Sequence, residues 1–342
     1  MRGAVRGAVK APARGVRRPG KLLPCALAAV LLAPAAAGCG LQSGQPIAEN
    51  VVPGSVGAGQ PLKGATLTVT SKNFSEQIIL GEIIGLVFKA AGAHVIDRTN
   101  IQGSIGSREA VLKGTADALY EYTGTAWITY LGHTKPITDP QKQWQAVHDA
   151  DLKNGVTWLP KSTLNNTYAL AGTAATIDRY HLRTLSDVAR LSHSDPGAVS
   201  LCVENEFAVR DDGLLGMQRA YGMNIPNSRV HKMEAGIVYT TLHKGGTCLL
   251  GEVFTTDGRI PALHLKVLAD DRHFFPNYNA APVINSKTLA RYPAIRGLLG
   301  PVTARLNTET AQRLNGEVDV EGKDPREVAK DWLIQQGFIK EG

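Results

Sequence analysis

Tyr120-Glu121-Tyr122-Thr123-Gly124-Thr125 is the stretch on which the fold turns. Ala116 to Tyr122 reads as a strand end, Thr-Gly-Thr as a tight turn, and Ala126 to Leu131 as a short helix. A strand that runs into a helix through such a corner belongs to an α/β protein. In that class the corner faces the crevice at the carboxyl ends of the strands, where ligands bind. This corner presents tyrosine, hydroxyls and the free N–H groups of a helix start. Aromatic faces attract quaternary ammonium groups, and hydroxyls with a helix N-terminus attract carboxylate. The corner therefore suits a small ligand with a cationic head and an anionic tail. The plain alternative is a half-buried tyrosine that only packs.

Strands and helices alternate on both sides of this corner. Thr66 to Thr70 is β-branched and alternating. Asn73 with Glu76 three residues later is a capping-box pattern, opening a helix through Ile78, Ile83 and Phe88 that stops at Gly92. Ala93 to Asp97 is the next strand. Gln102 to Ser107 opens a further helix, but it lacks the glycine spacing and Lys-Ser/Thr ending of a nucleotide cradle. Downstream, Val199 to Val203, Thr247 to Phe254, Leu265 to Leu268 and Ala281 to Ile284 read as strands. From Thr288 onward the chain is helical, with Asp324-Pro325 as one helix start. The alternation predicts an α/β protein with mostly parallel sheets.

A chain of 342 residues, 43% apolar, is enough for two domains with a substantial core. The formal charge of +7 first suggests an anionic partner. Seven lysines and arginines precede Cys39 with no acidic residue among them, so the chain beyond is formally neutral. That excludes the electrostatic footprint of nucleic-acid binding. Residues 1–39 have the layout of a secretory signal: a basic start, then an apolar run from Leu22 to Ala37 broken by Pro24 and Pro34. The run is too short to span a bilayer. Ala36-Ala37-Gly38-Cys39 resembles a lipobox, with Cys39 as the lipidated residue. Cleavage as an ordinary signal peptide is the alternative. Residues 40–63, rich in Gly, Pro, Gln and Ser, are expected to form a flexible tether. Cys202 and Cys248 remain in an oxidising setting, where a disulfide is expected; two buried thiols are the alternative. Cysteine and histidine spacing suggests no metal site, and no cofactor is expected.

Six short motifs occur in order: Ser71-Lys-Asn-Phe-Ser-Glu-Gln77, Glu121-Tyr-Thr-Gly-Thr125, Asn165-Asn-Thr-Tyr168, Thr256-Asp-Gly-Arg-Ile260, Asp270-Asp-Arg-His-Phe-Phe-Pro276 and Val318-Asp-Val-Glu-Gly-Lys-Asp-Pro325. Together they resemble the substrate-binding proteins of osmoprotectant ABC importers, which bind glycine betaine, choline, carnitine and similar quaternary amines. The resemblance runs from about Lys63 to the C-terminus. It implies a two-lobed periplasmic-binding-protein-like fold of type II, with a hinge of two crossovers and a ligand cleft between the lobes. Residues 64–168 and 279–342 would form lobe 1, and residues 169–278 lobe 2. It also implies an aromatic cage of Tyr122, Tyr168 and Tyr278, with Phe254 where many members place a tyrosine and Phe74 at one edge. Lys72, Thr125 and Arg210 would hold the ligand's carboxylate. The implied protein is a monomer that does no chemistry and delivers its ligand to separately encoded permease and ATPase subunits at the outer face of the bacterial cytoplasmic membrane. A larger betaine such as ergothioneine is the second reading. A secreted hydrolase is the reading from another class, but Gly103-Ser104-Ile105-Gly106-Ser107 is out of register for a nucleophile elbow.

Overall fold

The computed structural model describes residues 44–342. The expected signal segment and Cys39 lie outside the described residues. Among the described residues thirteen strands are present: β1 (Gln45–Pro46), β2 (Val51–Pro53), β3 (Thr66–Lys72), β4 (His94–Ile101), β5 (Ala118–Tyr122), β6 (Val156–Trp158), β7 (Tyr168–Thr173), β8 (Leu201–Glu204), β9 (Val230–Met233), β10 (Leu250–Phe254), β11 (Leu265–Val267), β12 (Ala280–Asn285) and β13 (Ile339–Glu341). They form a six-stranded sheet in the order β1-β4-β3-β5-β12-β6, a five-stranded sheet in the order β11-β7-β10-β8-β9, and the pair β13-β2. The two larger sheets are the cores of two lobes.

In the larger lobe, β3 pairs in parallel with β4 and β5. The connecting helix Ser75–Ala90 is apolar nearly all round, because it is covered by the sheet on one side and by helix Pro325–Gln335 on the other. Ile79, Ile83, Ile84, Val87 and Phe88 are fully buried on it.

The sheets are mixed, not mostly parallel as the alternation suggested. β12 runs antiparallel to β5 and β6, and β7 antiparallel to β10 and β11. The reason lies in the crossovers. A strand that arrives from the other lobe starts at the cleft and runs away from it, whereas β5 and β10 run toward it. Registers place Ala280 opposite Tyr122 and Phe254 opposite Tyr168, so the strand ends meet at the cleft. The two crossover segments are tied to each other. Asn165 bridges Asn279 antiparallel, Asn166 N–H donates to the Tyr278 carbonyl at 3.1 Å, and Tyr278 N–H donates to Asn165 Oδ1 at 2.7 Å.

Residues 44–63 are packed, which corrects the expected tether over that range. β1 pairs with β4 and β2 with β13. Ile47, Val51, Val56 and Leu62 are buried in the core of the larger lobe. Four apolar anchors among glycines and prolines suffice to dock the segment, and bulk composition hides them. The smaller lobe carries a disulfide between Cys202 on β8 and Cys248 just before β10, with Cα atoms 5.6 Å apart.

Candidate functional site

A cavity of about 220 Å³ lies between the lobes. It is lined by all eight residues expected at a site: Lys72, Phe74, Tyr122, Thr125, Tyr168, Arg210, Phe254 and Tyr278. It falls below the usual range of about 300–1,000 Å³ for drug-sized ligands, so it fits a small molecule. The lobes touch across it. Ser104 N–H, at the start of helix Gly103–Leu112, donates to Glu206 Oε2 at 3.1 Å, and the Arg259 guanidinium stands 3.4 Å from Asp319.

The aromatic residues form one continuous wall. Phe74 stacks on Phe254, with ring centroids 5.3 Å apart and planes 15° apart, and faces Tyr122 at 6.3 Å and 17°. Tyr168 is 5.4 Å from Phe254 and meets Tyr278 edge-on at 5.2 Å. Strand termini explain the convergence: Tyr122 ends β5, Phe254 ends β10 and Tyr168 begins β7. Tyr278 is held by its hydroxyl, which donates to Asp212 Oδ2 at 2.7 Å. The Thr123–Thr125 segment, a helix start rather than the expected tight turn, lies directly against it. A Cβ at Gly124 would sit 2.7 Å from Tyr278 Cδ1, so only glycine permits this approach.

The cations at the site already have anionic partners. Lys72 Nζ is 2.6 Å from Glu121 Oε1, with both side chains buried, and stands 4.9 Å from the Tyr122 ring centroid. Arg210 grips Asp212 through Nε at 2.7 Å and Nη2 at 2.5 Å. It also donates to Glu206 at 2.9 Å and to the Thr125 hydroxyl at 3.4 Å. Burial works to raise the Glu206 carboxyl, but Lys72 and Arg210 outweigh it and hold it below its usual range.

Sequence reasoning missed the residue at the centre. The sequence pattern pairs Glu76 with Asn73 in a capping box. The helix instead has Phe74 as N-cap, without a side-chain cap, and Asn73 Oδ1 accepts from Gly103 N–H. Glu76 is freed to turn into the cavity. It accepts from the Tyr122 hydroxyl at 2.6 Å, Asn166 Nδ2 at 2.9 Å and Asn315 Nδ2 at 2.9 Å. Burial pushes its carboxyl up, with these hydrogen bonds working against the shift. The signal for Asn315 was present in the sequence: it shares the buried face of helix Thr308–Asp319 with Ala311 and Leu314, where a polar residue needs a partner.

An aromatic wall and a buried carboxylate between two lobes of this topology invite comparison with known solute binders. The family described as the substrate binding domain of ABC-type glycine betaine transport systems matches residues 65–335. The chain belongs to this family. It is 36% identical over 282 residues to a glycine-betaine-binding protein of Pseudomonas aeruginosa, covering 81% of this chain and 90% of that protein. It is 34% identical to an ergothioneine transport permease/ergothioneine binding protein of Helicobacter pylori, over 80% of this chain and 48% of that one. A crystal structure described as a glycine betaine/carnitine/choline ABC transporter superposes with a TM-score of 0.66 at 30% identity, covering 80% of this chain and 99% of the other. A member of this family is a substrate-binding protein of ABC transport, which accords with the two-lobed fold. Among the described residues no helix is long and apolar enough to cross a membrane.

Proposed function

We propose that this protein captures a quaternary-ammonium compound between its lobes and delivers it to an ABC importer, anchored outside the cytoplasmic membrane by lipid on Cys39. The lobes are proposed as residues 64–168 with 279–342, onto which residues 44–63 pack, and residues 169–278. The observation that carries the reading is the wall of Phe74, Tyr122, Phe254, Tyr168 and Tyr278 around one small cavity beside the Glu76 carboxylate. A trimethylammonium group donates no hydrogen bond, so ring faces are what can enclose it, at about 0.5–2 kcal/mol per contact. Glu76 sets carboxyl oxygens next to the Tyr122 hydroxyl. Lys72, Thr125 and Arg210 form the polar end. A ligand carboxylate there must share its cations with Glu121 and Asp212, whereas a hydroxyl or a neutral ring needs no such exchange. Closure around the ligand is the signal that a transporter reads.

The second reading keeps the fold and takes a larger betaine. The 34% identity to the ergothioneine binding protein supports it, as does Phe254 in place of a tyrosine. Calorimetric titration against glycine betaine, choline, carnitine, proline betaine and ergothioneine decides between them. Binding to one compound, lost by about tenfold or more in Tyr122→Ala and in Tyr168→Ala, is the expected result. Wild-type affinity retained in both variants would remove the cage from the account.

A further inference from the structure

Residues Ala126–Tyr130, which the sequence presents only as part of a short helix, form a π-helix. Its backbone bonds reach one residue further than in an α-helix, and Leu131 N–H donates to the Ala126 carbonyl at 3.0 Å. Such wide turns are rare and collect at functional sites. This one brings Tyr130 back toward β5. Its hydroxyl donates to Glu121 Oε2 at 2.6 Å and lies 2.9 Å from the Ser104 carbonyl. The ring is backed by the Arg108 guanidinium, 4.4 Å from its centroid. Asp151 holds Arg108 through both oxygens, at 2.8 and 2.5 Å, and Trp158 Nε1 donates to the same carboxylate at 2.8 Å.

Both oxygens of Glu121 are engaged. Oε2 receives Tyr130, while Oε1 meets Lys72 Nζ at 2.6 Å and accepts the Tyr122 N–H at 2.7 Å. Glu121 is buried, so water does not replace a lost donor there. Burial and the Glu121 charge push the Tyr130 phenol well above its usual range, which keeps it a donor. Tyr130 is not among the residues that line the cavity, whereas Lys72 is. A chain of contacts therefore runs from a braced ring outside the cavity, through one hydroxyl and one carboxylate, to a cation inside it. Side chains that meet a ligand keep their geometry when a supporting layer of this kind fixes them.

We propose that Tyr130 is a positioning residue of the binding site: its hydroxyl, without reaching the ligand, orients the Glu121 carboxylate and so sets Lys72 at the polar end. This rests on the placement of Lys72 in the reading above and adds the group that holds it there. Tyr130→Phe keeps the ring under Arg108 and deletes only the hydroxyl. Glu121 Oε2 then loses its donor, the carboxylate is free to rotate, and Lys72 follows its ion-pair partner. Tyr120→Phe is the matched control. Tyr120 precedes Glu121 on β5, points to the opposite face of the strand, and meets Thr303 Oγ1 at 2.7 Å in the core of the larger lobe. It loses the same group from an equally buried hydrogen bond, on the side of the strand away from Lys72.

Two readouts on the full chain test this. The first is the ζ-nitrogen NMR resonance of Lys72 in isotope-labelled protein, assigned with Lys72→Gln. It is expected to shift in Tyr130→Phe and to stay in place in Tyr120→Phe. The second is calorimetric affinity for the tightest binder among glycine betaine, choline, carnitine, proline betaine and ergothioneine. Tyr130→Phe is expected to bind it about three- to tenfold more weakly, the effect of one lost hydrogen bond. Tyr120→Phe is expected to stay within about twofold of wild type, as for a site with no shared partner. A Lys72 resonance that ignores Tyr130→Phe, or moves equally in both variants, overturns the inference. So does an affinity that is unchanged in Tyr130→Phe or reduced equally in both, which is what a merely structural hydroxyl would give. A wild type that binds none of the five compounds ends the quaternary-amine reading alone, and the resonance then decides whether Tyr130 sets Lys72.

Discussion

Gly258 and Gly316 meet across the cleft, and their contact is asymmetric in a way that makes closure testable. Gly258 follows β10 in the smaller lobe; Gly316 lies on helix Thr308–Asp319 of the larger. A Cβ at Gly258 would stand 2.4 Å from both Cα and N of Gly316, against 3.4–4 Å for ordinary contact. Both clashing atoms are backbone, so no rotamer change relieves them. The lobes would have to part there by roughly 1 Å, the shortfall from ordinary contact. Overpacking of this kind costs about 1–3 kcal/mol. The cost falls on the closed arrangement alone, because lobes that have swung apart do not touch. Apparent affinity falls with the closure-competent fraction, so Gly258→Ala is expected to weaken binding roughly 5- to 150-fold. The melting temperature of the ligand-free protein should stay within about 0.5 °C of wild type, below the shift of roughly 1.5–5 °C that a 1–3 kcal/mol loss produces in a chain of this size. Gly316→Ala is the control: its Cβ would meet Gly258 Cα at 3.8 Å, an ordinary contact, on a helix that favours alanine. Titration calorimetry and thermal denaturation of both variants supply the readout. Unchanged affinity in Gly258→Ala, or equal losses in the two variants, would refute the reasoning.

Two further outcomes follow from the smaller lobe. Burial, with Glu204 nearby, pushes the Glu252 carboxyl up to about 8 from 4.5. The folded protein holds a proton there that the unfolded chain releases, so stability falls as pH rises from about 4.5 to about 8 and is flat beyond. Glu252→Gln should flatten that slope in urea denaturation at pH 5, 7 and 9, and parallel curves for the two proteins would contradict it. Loss of the Cys202–Cys248 bridge, which closes a loop of 46 residues, is expected to lower stability by about 2–4 kcal/mol. Denaturation of the double Cys→Ala variant measures this; an unchanged midpoint would mean that the link is not formed in solution.

The strand-to-helix corner at Tyr120 to Thr125 carried the α/β class, and the ordered motifs carried the residues that surround the cavity. Those are local signals, and each survives because it sits at a strand end where the backbone direction is fixed. Strand direction is not local. β7 and β12 look like any apolar run, and only their arrival from the opposite lobe makes them antiparallel. The docking of residues 44–63 was hidden because four anchors suffice, and composition averages them away. Charge pairing was the hardest to read. Lys72 meets Glu121, 49 positions away, and Glu76 meets Asn315, 239 positions away, so nothing in the neighbouring sequence distinguishes a free cation from a paired one. Glu76 itself was masked by a capping pattern with a local explanation that the backbone did not adopt.

Titration of the purified protein with a panel of quaternary-ammonium compounds, alongside Tyr122→Ala, tests the central claim most directly. Saturable binding of at least one compound, weakened about tenfold or more by removing the Tyr122 ring, is the result this account requires. A folded wild-type protein that binds none of them, or a Tyr122→Ala variant that binds as tightly as wild type, would contradict it.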